Sequence, residues 1–406
     1  MKTLVIGGGG REHAIVWKLA QSPVPNRISS VPGNPGIALH GECITLSEPS
    51  PKAYLVIAEQ LQADLTVVGP EAPLVDGVVD VFREAGKRII GPTAKAACLE
   101  GSKVFSKRFM ERHGIPTARA VTVPGSSQAL EALRQFTFPV VLKYDGLAAG
   151  KGVILAENKS EAEKGLAALP SGQYVVEEYL VGEEVSFIAF VHENGVIPLE
   201  ATQDHKAIFD GDRGPNTGGM GAYCDGRILS GSETGEIMER VILPTVEGMK
   251  KEGAPFTGFL YAGLMITDEG PKVLEYNVRL GDPEAQALMH HMDSDLTETL
   301  LEGAVPRWRP EPSVCVVLAA HGYPGKLRIG DLITGIEKCE ATVFHAGTRL
   351  TERGLETAGG RVLGVTASGP TLQSAIDNTY AAVRRIHFDG LQYRTDIGRK
   401  GLARWA

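Results

Sequence analysis

The chain has 406 residues, too many for one hydrophobic core, so two to four domains are expected. Apolar content of 43% and charged content of 22% are those of a soluble globular protein, and a net charge of −8 without any long lysine or arginine run argues against a nucleic-acid partner. No apolar run reaches membrane-spanning length, the apolar stretch after Met1 is too short for a secretory signal, and five scattered cysteines without a C-x-x-C pair fit a reduced, cytoplasmic setting.

The first hundred residues alternate strand and helix patterns. Strands are expected at 3–6, 64–68 and 87–90, the last two followed by Gly-Pro, with a helix at 12–20 carrying Ile15, Val16 and Leu19 on one face. This alternation predicts a doubly wound parallel sheet whose ligand crevice lies at the carboxyl ends of its strands, near loops 7–11, 32–36, 69–74 and 91–92. A helix follows at 102–113, with Val104, Phe105 and Phe109 on one side, ending at Gly114 and Pro116. A compact α+β unit is expected over 117–190, then a strand-rich stretch to about 301. A last domain begins near 312 with a strand at 314–319, further strands at 342–345 and 362–367, and a helix at 371–386.

Lys143-Tyr-Asp-Gly-Leu-Ala-Ala-Gly-Lys-Gly-Val153 follows a short apolar strand. Glycines let backbone N–H groups approach an anion, and a lysine adds a point charge, so Gly146, Gly150, Lys151 and Gly152 suit a phosphate. No G-x-x-x-x-G-K-[ST] motif precedes a helix here, because 153–156 reads as another strand. The pattern fits a lid over a nucleotide or an ordinary glycine hairpin.

Gly7-Gly-Gly-Gly-Arg-Glu-His13 opens the first helix and partly fits a dinucleotide fingerprint. The second strand leads into Pro32-Gly-Asn-Pro-Gly36 without the acid that would hold an NAD ribose, so the loop is either a phosphate site assisted by Arg11 or a tight turn. In Glu275-Tyr-Asn277-Val-Arg279-Leu-Gly281-Asp282, period-2 alternation puts Glu275, Asn277 and Arg279 on one face. A carboxylate and an amide oxygen are hard ligands suited to Mg²⁺, and the arginine fits a phosphoryl or carboxylate group; a solvated strand face is the plain alternative. Gln203–Lys206 and the glycine-rich 210–221 suggest a long polar loop closing on a small ligand. His13 and His205 read as structural, the His290-His291 pair has no partner at metal-ligand spacing, and no nucleophilic triad is visible.

Together these motifs resemble the phosphoribosylamine–glycine ligase family of the ATP-grasp superfamily. The matching segments run in the family's order over nearly the whole chain, and Pro215-Asn-Thr-Gly-Gly-Met-Gly-Ala-Tyr223 with Gln203-Asp-His-Lys206 is the most specific. The resemblance implies an N-terminal α/β domain over 1–101, an ATP-grasp domain of two α+β units over 102–311 with 117–190 as the ATP lid, and a small α+β C-terminal domain over 312–406. It implies ATP as co-substrate, with Lys103, Lys143, Gly146, Gly150, Lys151, Gly152, Glu177, Glu178, Tyr179, Leu180 and Glu184 around it and Mg²⁺ or Mn²⁺ on Glu275 and Asn277. Glycine and 5-phosphoribosylamine would meet Gly9, Gly10, Arg11, Asn34, Glu71, the Gly218-Gly219-Met220 loop, Arg279, Gly281 and Asp282. Arg279, Asp212 and Lys143 would carry the chemistry, in a cytoplasmic monomer.

The sequence departs from the family pattern at Tyr144, Leu280, Ala285, Ala358, the segment Ala287-Leu-Met-His-His-Met292, and Cys224-Asp-Gly-Arg227. A carboxylase-type ATP-grasp enzyme acting on bicarbonate or formate and a Rossmann oxidoreductase are the alternatives, the second disfavoured by the missing acid.

Overall fold

In the computed structural model, residues 1–146 and 152–405 are described. Strands β1 (Lys2–Gly7), β2 (Arg27–Pro32), β3 (Glu42–Cys43), β4 (Leu65–Val68) and β5 (Ile89–Ile90) form a parallel sheet in the order β3-β2-β1-β4-β5. Leu4, Ile6 and Val67 are almost wholly buried, as continuous apolar strands covered on both faces must be. The strand order reverses between β1 and β4, so the loops after them, carrying Arg11 and Glu71, meet at the switch-point crevice expected of such a sheet.

After the helix Lys103–Arg112, capped by the Ser102 hydroxyl, strands β6 (Ala120–Val123), β7 (Val140–Tyr144), β8 (Val153–Ala156) and β9 (Tyr174–Glu178) form an antiparallel sheet in the order β6-β9-β7-β8. This unit has its own apolar core of Val123, Leu142, Ala156, Tyr174 and Val176, separate from the main core.

The rest is organised by one nine-stranded sheet. Its strands are introduced by β10 (Glu183–His192), β11 (Gly195–Pro198) and β12 (Thr202–Asp204). A hairpin of β13 (Ala207–Phe209) and β14 (Arg213–Asn216) intervenes before β15 (Gly221–Cys224), β16 (Gly258–Thr267) and β17 (Gly270–Asn277). The last strands are β18 (Ser313–Ala319), β19 (Thr342–His345), the ribbon pair β20 (Thr348–Thr351) and β21 (Gly354–Thr357), and β22 (Arg361–Ser368). The large sheet runs β17-β16-β10-β12-β15-β18-β22-β19, with β11 beside β10. Pairing of β15 with β18 therefore carries the C-terminal segment in the same sheet as the central one. The expected unit at 117–190 divides here: its small sheet closes at Glu178, and β10 belongs to the large sheet. One contiguous core, including Ile6, Phe82, Phe109, Leu260, Val316 and Val365, links the N-terminal sheet to the large one. Among the described residues no helix is long and apolar enough to cross a membrane.

Candidate active site

Three lysines converge where the small sheet faces β17. Lys143, on β7, places Nζ 2.9 Å from Glu177 Oε2 and donates to the Leu274 carbonyl at 2.8 Å. Lys107 approaches the other oxygen of Glu177 at 3.1 Å, and burial lowers its ammonium to about 8 despite that partner. Lys103 donates to the Gly146 carbonyl at 2.9 Å. The Leu274 carbonyl is presented by a β-bulge, since Val273 pairs with Leu264 but Glu275 pairs with Gly263, leaving Leu274 outside the ladder. The Glu177 carboxylate lies buried between two ammonium groups, and its backbone pairs with Ala120 and Val141. Tyr179 and Leu180 lie past the end of β9, where Leu180 packs with Ala118, Met265 and Leu274 in a small apolar cluster. Gly152 accepts from the Tyr144 N–H through its carbonyl, whereas Gly150 and Lys151 lie outside the described residues.

Glu275 is half-buried on β17, and among the described residues its carboxylate takes part in no ion pair. Gly263 makes room for it: a Cβ there would lie 3.3 Å from Glu275 Cγ. Asn277 closes the strand and accepts from Arg279 Nη2 at 3.0 Å through Oδ1. The same Nη2 donates to Glu100 at 2.7 Å, while Arg279 Nε stands 3.4 Å from Glu71. Asn277 and Arg279 thus meet, with Arg279 lying just past the end of β17. Burial would lower the Arg279 guanidinium, but Glu100 and Glu71 outweigh it and raise it above its ordinary value. Nearby, Lys206 pairs with Glu184 at 2.9 Å; burial opposes its charge, but Glu184, Tyr261, Glu275 and Asp204 hold the ammonium well above its usual range. Glu178 instead caps the Arg119 N–H from its carboxylate, at the surface.

The Gly7–His13 loop does not leave its helix end open. Glu12 Oε2 accepts from the Gly9 N–H at 2.6 Å, and Glu12 Oε1 takes Arg11 Nε at the same distance. The chain's own carboxylate therefore sits where a phosphate would be expected. Arg11 is buried, reaches the Leu280 carbonyl at 3.1 Å and lies 4.0 Å from Glu71. Nε and one Nη1 donor of Arg11 are thus used inside the fold. Asn34 is likewise used inside the fold, donating to the Gly8 and His345 carbonyls and accepting from Gly36 and Ile37. Gly10 is a close-packing position, since a Cβ there would lie 2.5 Å from Gln286 Nε2.

The glycine-rich 210–221 segment is mostly hairpin and close packing. Gly219 has φ +106°, and a Cβ there would come within 2.5 Å of Pro283 Cδ. Gly218 donates its N–H to the Tyr323 hydroxyl and accepts from Arg361 at its carbonyl, and Met220 is buried in the core. Asp282, after Gly281, accepts from Arg361 at 2.9 Å and Gln286 at 2.7 Å; burial pushes its carboxyl up, but Arg361 and Arg11 bring it below its usual value. Asp212 stands apart from Arg279. It pairs with Arg394 at 2.9 Å and Lys400 at 2.5 Å, and shares no ion-pair partner with Arg279 among the described residues.

Models of the phosphoribosylglycinamide synthetase N domain, ATP-grasp (A) domain and C domain match residues 1–100, 101–285 and 313–400. The chain belongs to the phosphoribosylglycinamide synthetase family. A phosphoribosylamine–glycine ligase from Xanthomonas axonopodis pv. citri is 47% identical over all of this chain and 99% of its own length. The solved phosphoribosylamine–glycine ligase of Thermotoga maritima superposes with a TM-score of 0.86 at 36% identity, covering 98% of this chain and 100% of that one. The biotin carboxylase domain of Hydrogenobacter thermophilus 2-oxoglutarate carboxylase, solved with MgADP, ADP and bicarbonate, superposes at 0.72 with 17% identity over 96% of this chain and 91% of that one, a likeness of fold alone.

In this synthetase-family member the residues that sequence reasoning missed are partners of the expected ones. Lys107, Glu100 and Arg361 carry no motif of their own; only the fold sets them on Glu177, Arg279 and Asp282. Glu284 was visible within the Gly-Asp-Pro-Glu turn but had no assigned role. It accepts from the Ser186 hydroxyl at 3.1 Å, and burial together with its charge holds Asp204 well above the usual carboxyl range.

Proposed function

We propose that the protein joins glycine to 5-phosphoribosylamine at the expense of ATP, giving glycinamide ribonucleotide, ADP and phosphate in purine biosynthesis. The observation that carries this reading is the full-length match to ligases of that name at 47% identity, joined to the lysine-lined cleft beside a Glu275 carboxylate that makes no ion pair among the described residues. A carboxylate is a poor acyl donor because its leaving group would be oxide. Phosphorylation gives glycyl phosphate, whose leaving group is phosphate, and the sugar amine then attacks. No protein nucleophile is required, in keeping with the absence of a triad; the work is positioning and charge stabilisation.

In this reading adenine rests on the apolar cluster of Ala118, Leu180, Met265 and Leu274, read by the backbone of Tyr179 and Leu180. Lys143 and Lys103 hold phosphate oxygens, with Gly146 and Gly152 at the loop ends and Glu184 toward the ribose. Glu275 and Asn277 offer hard oxygen donors, so the residues present fit a divalent cation. Such a cation, magnesium or manganese, supplies charge neutralisation at the phosphates. Arg279, fixed by Glu71, Glu100 and Asn277, is oriented toward the developing charge without reorganising. Gly281, Asp282 and the Gly218–Gly219 backbone border the acceptor side, and Gly9 with Glu71 the switch-point crevice. Arg11 and Asn34 act as positioning residues there. Asp212 organises the C-terminal edge through Arg394 and Lys400. A division at 1–101, 102–311 and 312–406, a monomer and a cytoplasmic setting complete the proposal, and limited proteolysis and sedimentation check the first two.

The test is ADP release with glycine and phosphoribosylamine generated in situ from phosphoribosyl pyrophosphate and ammonia. Bicarbonate and formate should not replace glycine. With ¹⁸O-carboxyl glycine, one label must appear in the released phosphate. Unlabelled phosphate alongside product would overturn the acyl phosphate route, and ADP release indifferent to glycine would overturn the substrate.

A further inference from the structure

Away from the lysine cluster, three side chains of different chemistry meet beside the paired ends of β12 and β15. Ligand atoms of Glu200, Cys224 and His291 all lie within 4.8 Å of one another. Glu200 lies just ahead of β12, Cys224 ends β15, and His291 ends the helix Glu284–His291. Cys224 and His291 fall in the two segments, 224–227 and 287–292, where the sequence departs from its family's pattern. His291 found no partner along the sequence because its partner is 91 residues away.

His291 faces an acceptor at each ring nitrogen. Its Nδ1 stands 2.9 Å from the Glu311 carbonyl, which can only accept, so Nδ1 carries the proton. Its Nε2 stands 3.1 Å from Glu200 Oε2, and an ionised carboxylate also only accepts. A neutral imidazole cannot donate to both, so either an imidazolium or a cation on Nε2 completes the arrangement. Metal-bound histidines characteristically donate their second N–H to a backbone carbonyl, which orients the ring, and the Trp308 ring stacks on His291 with an interplanar angle of 20°. The Nε2–Oε2 separation is also close to the roughly 3.3 Å between nitrogen and oxygen ligands on a tetrahedral zinc. Cys224 is fully buried, with its Sγ within ligand reach of Glu200 and His291. Only Glu200 reaches solvent, with its side chain 24% exposed, leaving an entry path and a place for a water ligand.

We propose that Glu200, Cys224 and His291 form a binding site for one zinc ion, separate from the nucleotide-site cation. A thiolate, an imidazole and a carboxylate suit Zn²⁺, whereas Glu275 and Asn277 offer oxygen alone and suit a hard cation. The ion ties the approach to β12, the end of β15 and the helix bearing Glu284. His291 lies about 10 Å along that helix from Glu284, so the ion acts as a staple behind the site and touches no substrate.

The test uses the full chain, stripped with a chelator and titrated with Co²⁺ in excess Mg²⁺, which occupies hard oxygen sites. One Co²⁺ per chain should bind with a thiolate-to-cobalt charge-transfer band in the near ultraviolet, and Zn²⁺ should displace it and raise the melting temperature. Cys224→Ser and His291→Gln should lose both the band and the Zn²⁺-dependent rise. Cys43→Ser, which removes an exposed cysteine elsewhere, should keep both. Glu200→Gln, at a partly exposed position that tolerates change, should weaken Co²⁺ binding at least tenfold in a folded protein. Absence of the band and of any Zn²⁺-dependent rise in the parent would overturn the proposal and leave a His291–Glu200 ion pair. A band that survives in folded Cys224→Ser would overturn it equally.

Discussion

Glu275 is distinguished at the level of single residues by what it lacks. Other acids around the cleft, Glu177, Glu100 and Glu184, are each ion-paired to a cation of the chain, but among the described residues Glu275 makes no ion pair. Glu275→Gln keeps the shape and removes the charge, so ATP turnover should collapse while the circular dichroism spectrum and melting temperature hold; near-normal turnover with unchanged magnesium dependence would exclude a metal role. Lys143 is a different case. From the sequence it reads as a cleft-edge lysine whose loss would barely touch stability, but it is buried and shares the Glu177 carboxylate with Lys107. Lys143→Ala should lower kcat/KM for ATP by about 10²–10³-fold, the scale of one preorganised electrostatic contact. It should also cost about 1–3 kcal/mol of stability by weakening the satisfaction of a buried carboxylate. A stability loss without a kinetic effect in the folded fraction would make Lys143 purely structural. The strand ending on Lys143 was legible from its apolar run, but neither Lys107 nor the bulge at Leu274 was, because both are fixed by partners far along the chain.

At the scale of elements, local signals read well and long-range pairings do not. The helix expected at 102–113 is Lys103–Arg112 with Ser102 as its cap, and the strand at 342–345 is Thr342–His345. Hydrophobic period and capping chemistry act over a few residues, so one sequence suffices to find them. In the polar stretch 210–221 the glycines also serve close packing against neighbouring side chains, which the sequence does not show. Gly219 carries a positive φ and sits against the Asp282–Glu284 turn. Gly219→Ala should therefore destabilise the fold by more than about 1 kcal/mol, since strain and overpacking add there. It should also raise the apparent KM for the acceptor amine more than that for ATP, as the displaced turn carries Asp282 and lies opposite the nucleotide side. Equal changes in both constants would remove the assignment of that turn to the acceptor.

The whole molecule stores an acid sensitivity that no single site explains. His13, on the N-terminal helix, and His345, on β19, meet across two parts of the chain, with the His345 N–H donating to His13 Nδ1 at 2.7 Å. Burial first, then the neighbouring His345 and His40, lowers His13 to about 3, and burial lowers His345 to about 4. Burial likewise leads the lowering of His205 and His290, each to about 4, with nearby cations adding to both. Each folded value lies below the unfolded one near 6.5, so between the two the unfolded chain binds more protons. The stability these neutral rings contribute is complete above about pH 6.5 and is lost as pH falls toward 4, each ring adding up to about 1.4 kcal/mol per pH unit to the slope. Chemical unfolding at pH 7.5, 6.5 and 5.5 should show a small change over the first step and a steep loss over the second. His13→Asn offers an amide oxygen to the His345 N–H and cannot titrate. It should flatten the lower step by roughly one ring's share while leaving the upper step unchanged. An identical acid slope in parent and variant would mean that His13 is already protonated in the folded chain, and its Nδ1 could then not accept from the His345 N–H.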